Sequence, residues 1–296
     1  MNEHSAKAEI RSLPDVSIPE VFQPYATVLG LCNYDGWEKL RGWELSEVWR
    51  ASAGQQSHIL KIGISRNARE ITIYDEFLQR IEAAPKVIDY VKDQGIAIIK
   101  LQDLQAPNLE QAPNEDGYEM AAVQLSKLRQ ATVQAKGQGT SVNDHLRDFD
   151  RIALYESRLK RHRPVVLHHL VELYDGFPPV LTHNDYHTKN LIYTGGDVRI
   201  LDWSEAYVSP HLGDLYSLIS SAEGARNQIV SAYEQASGER NVHWQLTIGA
   251  ICWLMERIRY FLDGGTEEIP IAKEWIPDLV NDLLMHCEML KEWTKG

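Results

Sequence analysis

Two short apolar runs, Leu191-Ile192-Tyr193 and Val198-Arg199-Ile200-Leu201, flank Gly195-Gly196. They predict a β-hairpin, because a tight turn between strands needs residues that tolerate positive φ. The polar residues at its two ends make this the most constraining stretch of the chain. His183, Asp185, His187 and Asn190 come just before the first strand, and Asp202-Trp203 closes the second. A hairpin returns its far end to its near end, so Asp202 is expected back beside the loop that carries Asp185 and Asn190.

A carboxylate, an amide five residues on and a second carboxylate at a strand end are the parts that ATP-dependent phosphoryl transfer requires. Asp185 is the candidate base: a carboxylate within hydrogen-bond reach orients a hydroxyl and accepts its proton. The Asn190 carbonyl oxygen is a hard ligand suited to Mg2+, and Asp202 is placed to bridge that ion to the β- and γ-phosphates. Each alone reads as a turn former or strand-end cap; the three together around a hairpin do not. His183 and His187 are expected to support the loop backbone. Lys189 reads either as a γ-phosphate contact or as a solvated loop lysine. Asp214 reads as a buried anchor for the loop, as an N-cap for the helix from Leu215, or as both.

Upstream, the pattern is that of a small sheet with one helix. Trp43–Arg50 and His58–Ile62 are strand-like runs around the Ala53–Gln56 turn, and Val87–Val91 pairs with Ile96–Ile99 through Asp93-Gln94-Gly95. Ile71, Tyr74, Phe77, Leu78 and Ile81 have helical spacing and predict a helix over Asn67–Ile81. Lys61 lies in the apolar run and is either a solvent-facing edge residue or a phosphate ligand. Glu70 is its candidate partner, holding the ammonium towards the α- and β-phosphates, with Asp75 and Glu76 as rivals. The turn Gly42–Ser46 is expected to cover the phosphates through Ser46 and backbone amides, although it lacks a G-x-G-x-x-G pattern. Lys100–Leu104 is read as following the last strand, with Gln102 and Leu104 offering backbone groups to an adenine edge.

Residues 105–116 hold prolines and asparagines and read as a connector. Beyond it helices dominate: Tyr118–Ala135, Ser141–Lys160 with a cap at Ser141 or Asn143, Val165–Tyr174, then Leu212 onwards, notably Trp244–Leu262 and Trp275–Trp293. The expected division is 1–104, a nucleotide-binding lobe, 105–116, a hinge, and 117–296, a catalytic and acceptor-binding lobe, with nucleotide between the lobes. The class is α+β.

The net charge of -12 argues against nucleic acid as a partner, since nonspecific binding to phosphate backbones is driven by positive charge. Cys32, Cys252 and Cys287 are odd in number and lack metal-ligand spacing, which fits a reducing compartment. Met1–Pro14 carries no apolar signal region, and no stretch is apolar enough to span a bilayer. A cytoplasmic location without membrane association is expected; oligomeric state is not encoded in any recognisable motif.

The stretch His183-Asn184-Asp185-Tyr186-His187-Thr188-Lys189-Asn190 resembles the H-G-D-L-H-x-x-N signature of the aminoglycoside phosphotransferase and choline kinase-like family, relatives of the protein kinases. Leu201-Asp202-Trp203 is similar to its I-D-W or I-D-F, Asp214-Leu215 to its D-L-A, and Lys61 with Arg69-Glu70 to its strand lysine and helix glutamate. The resemblance spans roughly Gly42 to Ile219. It implies a two-lobed protein kinase-like fold, with a small β-rich N-lobe and a larger, mainly helical C-lobe. It also implies Mg-ATP-dependent transfer to a hydroxyl of a small molecule: an aminoglycoside or other antibiotic, and so antibiotic resistance, an amino alcohol, or a sugar. Asn184 replaces the usual glycine and Tyr186 the usual leucine; Asn184 is expected in an unusual backbone conformation, which asparagine tolerates. Glu256, Asp263, Glu267, Glu268, Asp278, Asp282 and Glu288 suit a cationic acceptor, and Trp244, Trp253, Tyr260, Trp275 and Trp293 could box a quaternary ammonium or simply pack. Two other readings compete. A protein kinase is disfavoured by the eleven residues between Asp202 and Asp214 and the absence of A-P-E. A kinase-fold binding or structural protein with little turnover is disfavoured by the complete base and metal-ligand set.

Overall fold

The computed structural model describes residues 17–43, 45–78, 81–133 and 135–293. Residues 1–16 therefore lie outside the described residues, as do Glu44 of the Gly42–Ser46 turn and parts of two expected helix ends. By contacts the chain divides into two units, Met1–Ile71 with Lys86–Asp103, and Thr72–Pro85 with Leu104–Gly296.

The first unit is built on a five-stranded antiparallel sheet in the order β1-β2-β3-β5-β4. Its strands are β1 (Gly36–Trp43), β2 (Ser46–Ala53), β3 (Gln56–Ile64), β4 (Val87–Asp93) and β5 (Ile96–Gln102). The β4–β5 turn places Gln94 and Gly95 at φ 37 and 85, the left-handed pair a two-residue hairpin demands. Two expectations shift. Trp43 ends β1 instead of opening the next strand, and Lys100–Gln102 belongs to β5 instead of following it. Leu60, Ile62 and Ile98 pack with Phe22, Leu29, Leu31 and Ala51, and each such buried side chain contributes roughly 1.5–3 kcal/mol. By the two-residue period of a strand, Lys61 points to the opposite face from Leu60 and Ile62. The helix α1 (Glu70–Glu76) is shorter than its periodicity predicts, because Ser65–Arg69 is wound as a 3-10 turn.

The second unit is mainly helical: α2 (Glu115–Ala131), α3 (Val142–Tyr155), α4 (Arg163–Gly176), α5 (Gly213–Ser221), α6 (Arg226–Ser237), α7 (Val242–Tyr260), the single turn α8 (Thr266–Glu268) and α9 (Ala272–Trp293). The first of these begins inside the expected connector, because Asn114 caps it, its Oδ1 accepting from the Gly117 amide at 2.8 Å. Ser141 caps α3 in a reciprocal box with Asp144, which satisfies two otherwise orphaned donors. Two strand pairs lie among the helices: β6 (Val180–Thr182) with β9 (Tyr207–Ser209), and the expected hairpin, β7 (Leu191–Tyr193) with β8 (Val198–Ile200). Gly195 takes φ 83 in its turn.

Most of α7 is buried, from Leu246 to Met255 with few breaks. Gly249 permits its closest approach: a Cβ there would meet the Leu212 carbonyl carbon at 2.6 Å. That contact brings the start of α5, and with it Asp214, against the helix that also carries Arg257. Among the described residues no helix is long and apolar enough to cross a membrane. The three cysteines are unpaired.

Candidate active site

The loop after β6 is held from below by one carboxylate. Asp214 is 1% exposed and accepts the amides of His183 (Oδ2, 2.7 Å) and Asn184 (Oδ1, 2.7 Å). It sits in the first turn of α5, whose N-cap position is Leu212. The N-cap alternative for Asp214 therefore gives way to the anchor: the carboxylate is spent on the loop. Burial pushes its pKa up, against the opposing pull of His183, the two amide bonds and Arg129. Arg129, itself buried, donates to the carbonyls of Pro210 and His211 just ahead of Asp214.

His183 lies under the loop. Its Nδ1 accepts the Asp185 amide at 3.2 Å, so Nε2 carries the hydrogen and donates to the Leu201 carbonyl at 2.9 Å. One imidazole thereby joins the residue before Asp202 to Asp185. The ring packs edge-on to Trp203, with centroids 4.6 Å apart. Asn184 takes φ 65, the left-handed conformation expected where it replaces a glycine. Tyr186 is fully buried and donates through its hydroxyl to the Ala121 carbonyl of α2 at 2.8 Å, a tether that a leucine cannot make.

Both oxygens of Asp185 are engaged. Oδ2 accepts from Asn190 Nδ2 at 2.8 Å and lies 3.3 Å from His187 Nε2. The Asn190 amide nitrogen also reaches the Asp185 carbonyl at 3.0 Å, so its Oδ1 faces away and accepts no hydrogen bond among the described residues. The Asn190 carbonyl receives the Leu201 amide at 2.8 Å, which sets Asp202 next to it. Asp202 takes φ 61 and receives the Ser204 hydroxyl at 3.0 Å. Asp185, Asn190, Asp202, His183, His187 and Asp214 are thus gathered in one place. Lys189 is exposed, 3.3 Å from Glu110.

The residue missed from the sequence is Arg257. Its Nη2 donates to Asp185 Oδ1 at 2.5 Å and to the Asn184 carbonyl at 2.8 Å, and its guanidinium lies over Trp253, 5.3 Å from the ring centroid. Burial tends to raise the Asp185 pKa, but the charge of Arg257 and the contacts with His187 and His183 outweigh it and hold the carboxyl well below the usual range. The neighbouring Glu256 accepts the Tyr207 hydroxyl at 2.5 Å, and the same hydroxyl lies 2.6 Å from His211 Nε2. His211 Nδ1 accepts the Gly213 amide, so Nε2–H donates to Tyr207 and the relay runs to Glu256. Burial, set against Tyr207 and Arg257, pushes Glu256 up to about 7. Burial alone carries His145, whose ring lies 5.7 Å from that of His211, down to about 4.

In the first unit Lys61 Nζ lies 2.6 Å from Glu70 Oε2, with side chains 9% and 2% exposed. The strand β3 is internal, paired with β2 and β5, which removes the solvent-facing edge reading of Lys61. Ser46 is buried at the start of β2. The Gln102 amide donates to the Lys86 carbonyl at 2.9 Å, so that group is taken up in the sheet. Leu104 comes after Asp103 and opens the second stretch of the second unit.

An antiparallel five-stranded unit and a mainly helical unit holding this loop define a protein kinase-like fold. The model of the phosphotransferase enzyme family known as APH matches residues 37–246. The chain belongs to that family. No curated protein matches it by sequence. Among solved structures it is similar to aminoglycoside 2'-phosphotransferase-IIIa in complex with GDP, with a TM-score of 0.66 and 13% identity over 89% of this chain and 96% of that one. It is likewise similar to choline kinase LicA from Streptococcus pneumoniae, with a TM-score of 0.60 and 18% identity over 92% and 98%. A thermostable mutant of aminoglycoside phosphotransferase APH(4)-Ia, in complex with ADP and hygromycin B, gives a TM-score of 0.61 and 14% identity over 88% and 98%. At these identities the likeness is one of fold.

Proposed function

We propose that this phosphotransferase transfers the γ-phosphoryl group of ATP to a hydroxyl of a small molecule, with Asp185 as the base. The observation that carries the reading is the hold on Asp185. Its loop hangs on Asp214, its Oδ2 is fixed by Asn190, and its ionised form is stabilised by neighbouring charge. A carboxylate so stabilised is a weak proton acceptor and a good orienting group. That suits a loose transition state in which positioning and charge dominate. In the step, the acceptor oxygen bonds to the γ-phosphorus, the bond from phosphorus to the bridging oxygen breaks, and ADP leaves. The acceptor proton passes to Asp185.

Asn190 and Asp202 are the residues that would hold Mg2+. The fit rests on Asn190 Oδ1, left over when Nδ2 is spent on Asp185, beside a carboxylate: two hard oxygen donors of the kind this ion takes. When bound, the ion neutralises charge on the β- and γ-phosphates. Lys61, held by Glu70, would supply an ammonium to the α- and β-phosphates, and Ser46, Gln102 and Leu104 would line the nucleotide. His183, His187 and Asp214 would support the loop. In this reading residues 1–104 form the nucleotide lobe, 105–116 the hinge and 117–296 the catalytic and acceptor lobe. The nucleotide complexes of the two aminoglycoside phosphotransferases support nucleotide binding here.

The test is Asp185→Ala. ADP release in the presence of acceptor should fall by roughly 10²- to 10⁴-fold, while Mg-ATP affinity measured by calorimetry stays within about threefold, since a general base makes no contact with the nucleotide ground state. Near-normal turnover in that variant removes Asp185 from the chemistry.

A further inference from the structure

The two oxygens of Asp185 face different partners. Oδ2 meets Asn190, on the side assigned above to the metal, and Oδ1 meets Arg257. A guanidinium offers five N–H donors, and here only Nη2 is used, on Asn184 and Asp185. Nε and Nη1 have no hydrogen-bond partner among the described residues, and the side chain is 25% exposed. Trp253 sits against the guanidinium, one helical turn earlier on α7, and Tyr216 braces the indole edge-on, with centroids 5.6 Å apart. The Trp253 Nε1–H is itself buried without a partner. On the Arg257 side of Asp185, N–H donors are therefore left over.

Some of the carboxylates that could have received a polycation already have partners. Asp263 is bonded to Arg151 and faces Arg259, Asp148 is bonded to Arg259, and Glu288 is bonded to Arg161 and Lys291. Glu256 is tied to Tyr207, and its raised pKa leaves part of it uncharged at neutral pH. Of the aromatic candidates, Trp244 packs against His169 and Phe177, and Trp275 meets Phe261 edge-on while staying exposed.

We infer that the acceptor carries its own anion, a carboxylate or a phosphate ester, next to the hydroxyl that is phosphorylated, and that Arg257 binds this anion while keeping its hold on Asp185. The inference rests on the kinase reading above and narrows it to hydroxy acids and phosphorylated polyols or sugars. Guanidinium is the side chain suited to both anions. Arg257 lies beyond residues 37–246, the part that the family model covers.

The experiment measures kcat/KM by ADP release with matched acceptors: glycerate and glycerol 3-phosphate against glycerol, gluconate and glucose 6-phosphate against glucose, and kanamycin and ethanolamine as cations. The acids and the phosphate esters separate the two sources of anion. Wild-type enzyme should prefer an anionic member over its neutral parent by roughly 10- to 100-fold, the worth of a hydrogen bond to a charged group. Arg257→Gln should lose most of that preference through KM, and Arg257→Lys should restore part of it. Calorimetric binding of the preferred anion to nucleotide-free protein should weaken in parallel. Preference for the cations or the neutral parents in the wild type overturns the inference, as does an anion preference that survives Arg257→Gln. Rejection of every anionic member by a protein that still hydrolyses Mg-ATP overturns it too. A protein that neither binds nor hydrolyses Mg-ATP overturns the kinase reading itself, and the inference with it.

Discussion

Replacing Asp214 with alanine should loosen the loop that carries Asp185 and cost the protein a measurable part of its stability. The carboxylate accepts two backbone amides at 2.7 Å each from inside the protein. Truncation strands both donors away from water, at about 1–3 kcal/mol apiece. Against this, alanine relieves the burial of a charge, the same burial that raises the Asp214 pKa. The net expectation is a loss of about 3 kcal/mol, or roughly 6–12 °C in Tm for a unit of this size. Asp214→Asn keeps one acceptor and turns an N–H towards the other amide, so it should fall between. Thermal unfolding followed by tryptophan fluorescence reads the cost, and hydrogen exchange at the His183 and Asn184 amides reads its place. Retention of Tm within about 2 °C, with unchanged protection of those two amides, would refute the anchoring role.

Glu256 gives a pH signature. The folded chain keeps its proton up to about pH 7, whereas the unfolded chain releases it near 4.5. The stabilisation from this group is therefore complete below 4.5 and is lost as pH rises through 7, on the order of 3 kcal/mol in all. Glu256→Gln, which can still accept from Tyr207, should gain Tm relative to wild type between pH 5 and 8; parallel Tm profiles for the two proteins would count against the raised pKa. Glu70→Ala leaves the Lys61 ammonium buried without its carboxylate and should cost about 3–5 kcal/mol. The double change Lys61→Met, Glu70→Leu should cost far less. Equal chemical-denaturation losses for the single and the double variant would remove the pair from the stability of the first unit.

What could be read in the residues was local. The hairpin followed from Gly195-Gly196 and the alternation around it, and with it the meeting of Asp185, Asn190 and Asp202, because strand and turn geometry act within a dozen residues. The left-handed Asn184 followed from chain stereochemistry at one position. Element ends were read less well. The start of α2 reads as connector in the sequence, because Asn114 resembles a loop residue and only the fold shows its side chain capping the helix. The helix over Asn67–Ile81 was drawn too long, because hydrophobic period does not distinguish a 3-10 lead-in from α-helix. Gln102 was placed after β5, since only the partner strand reveals that its amide is already used.

The sequence by itself marked Asp185 as a candidate base, Asn190 and Asp202 as candidate metal ligands and Glu70 as a candidate partner of Lys61, and it carried the resemblance to the family. Tertiary structure decided the charge around Asp185. Arg257 reaches Asp185 across 72 residues, the Asp214 carboxylate reaches Asn184 across 30, and Tyr207 reaches Glu256 across 49. No spacing rule joins such residues. They meet because α7 is buried along most of its length and approaches the start of α5 over Gly249, and that close packing sets which side chains of α7 arrive at the loop. Charge at the site is thus a product of helix packing: a linear reading of the acids in the last helices leaves cationic, amino-alcohol and sugar acceptors open, and only the packed structure brings an arginine to Asp185.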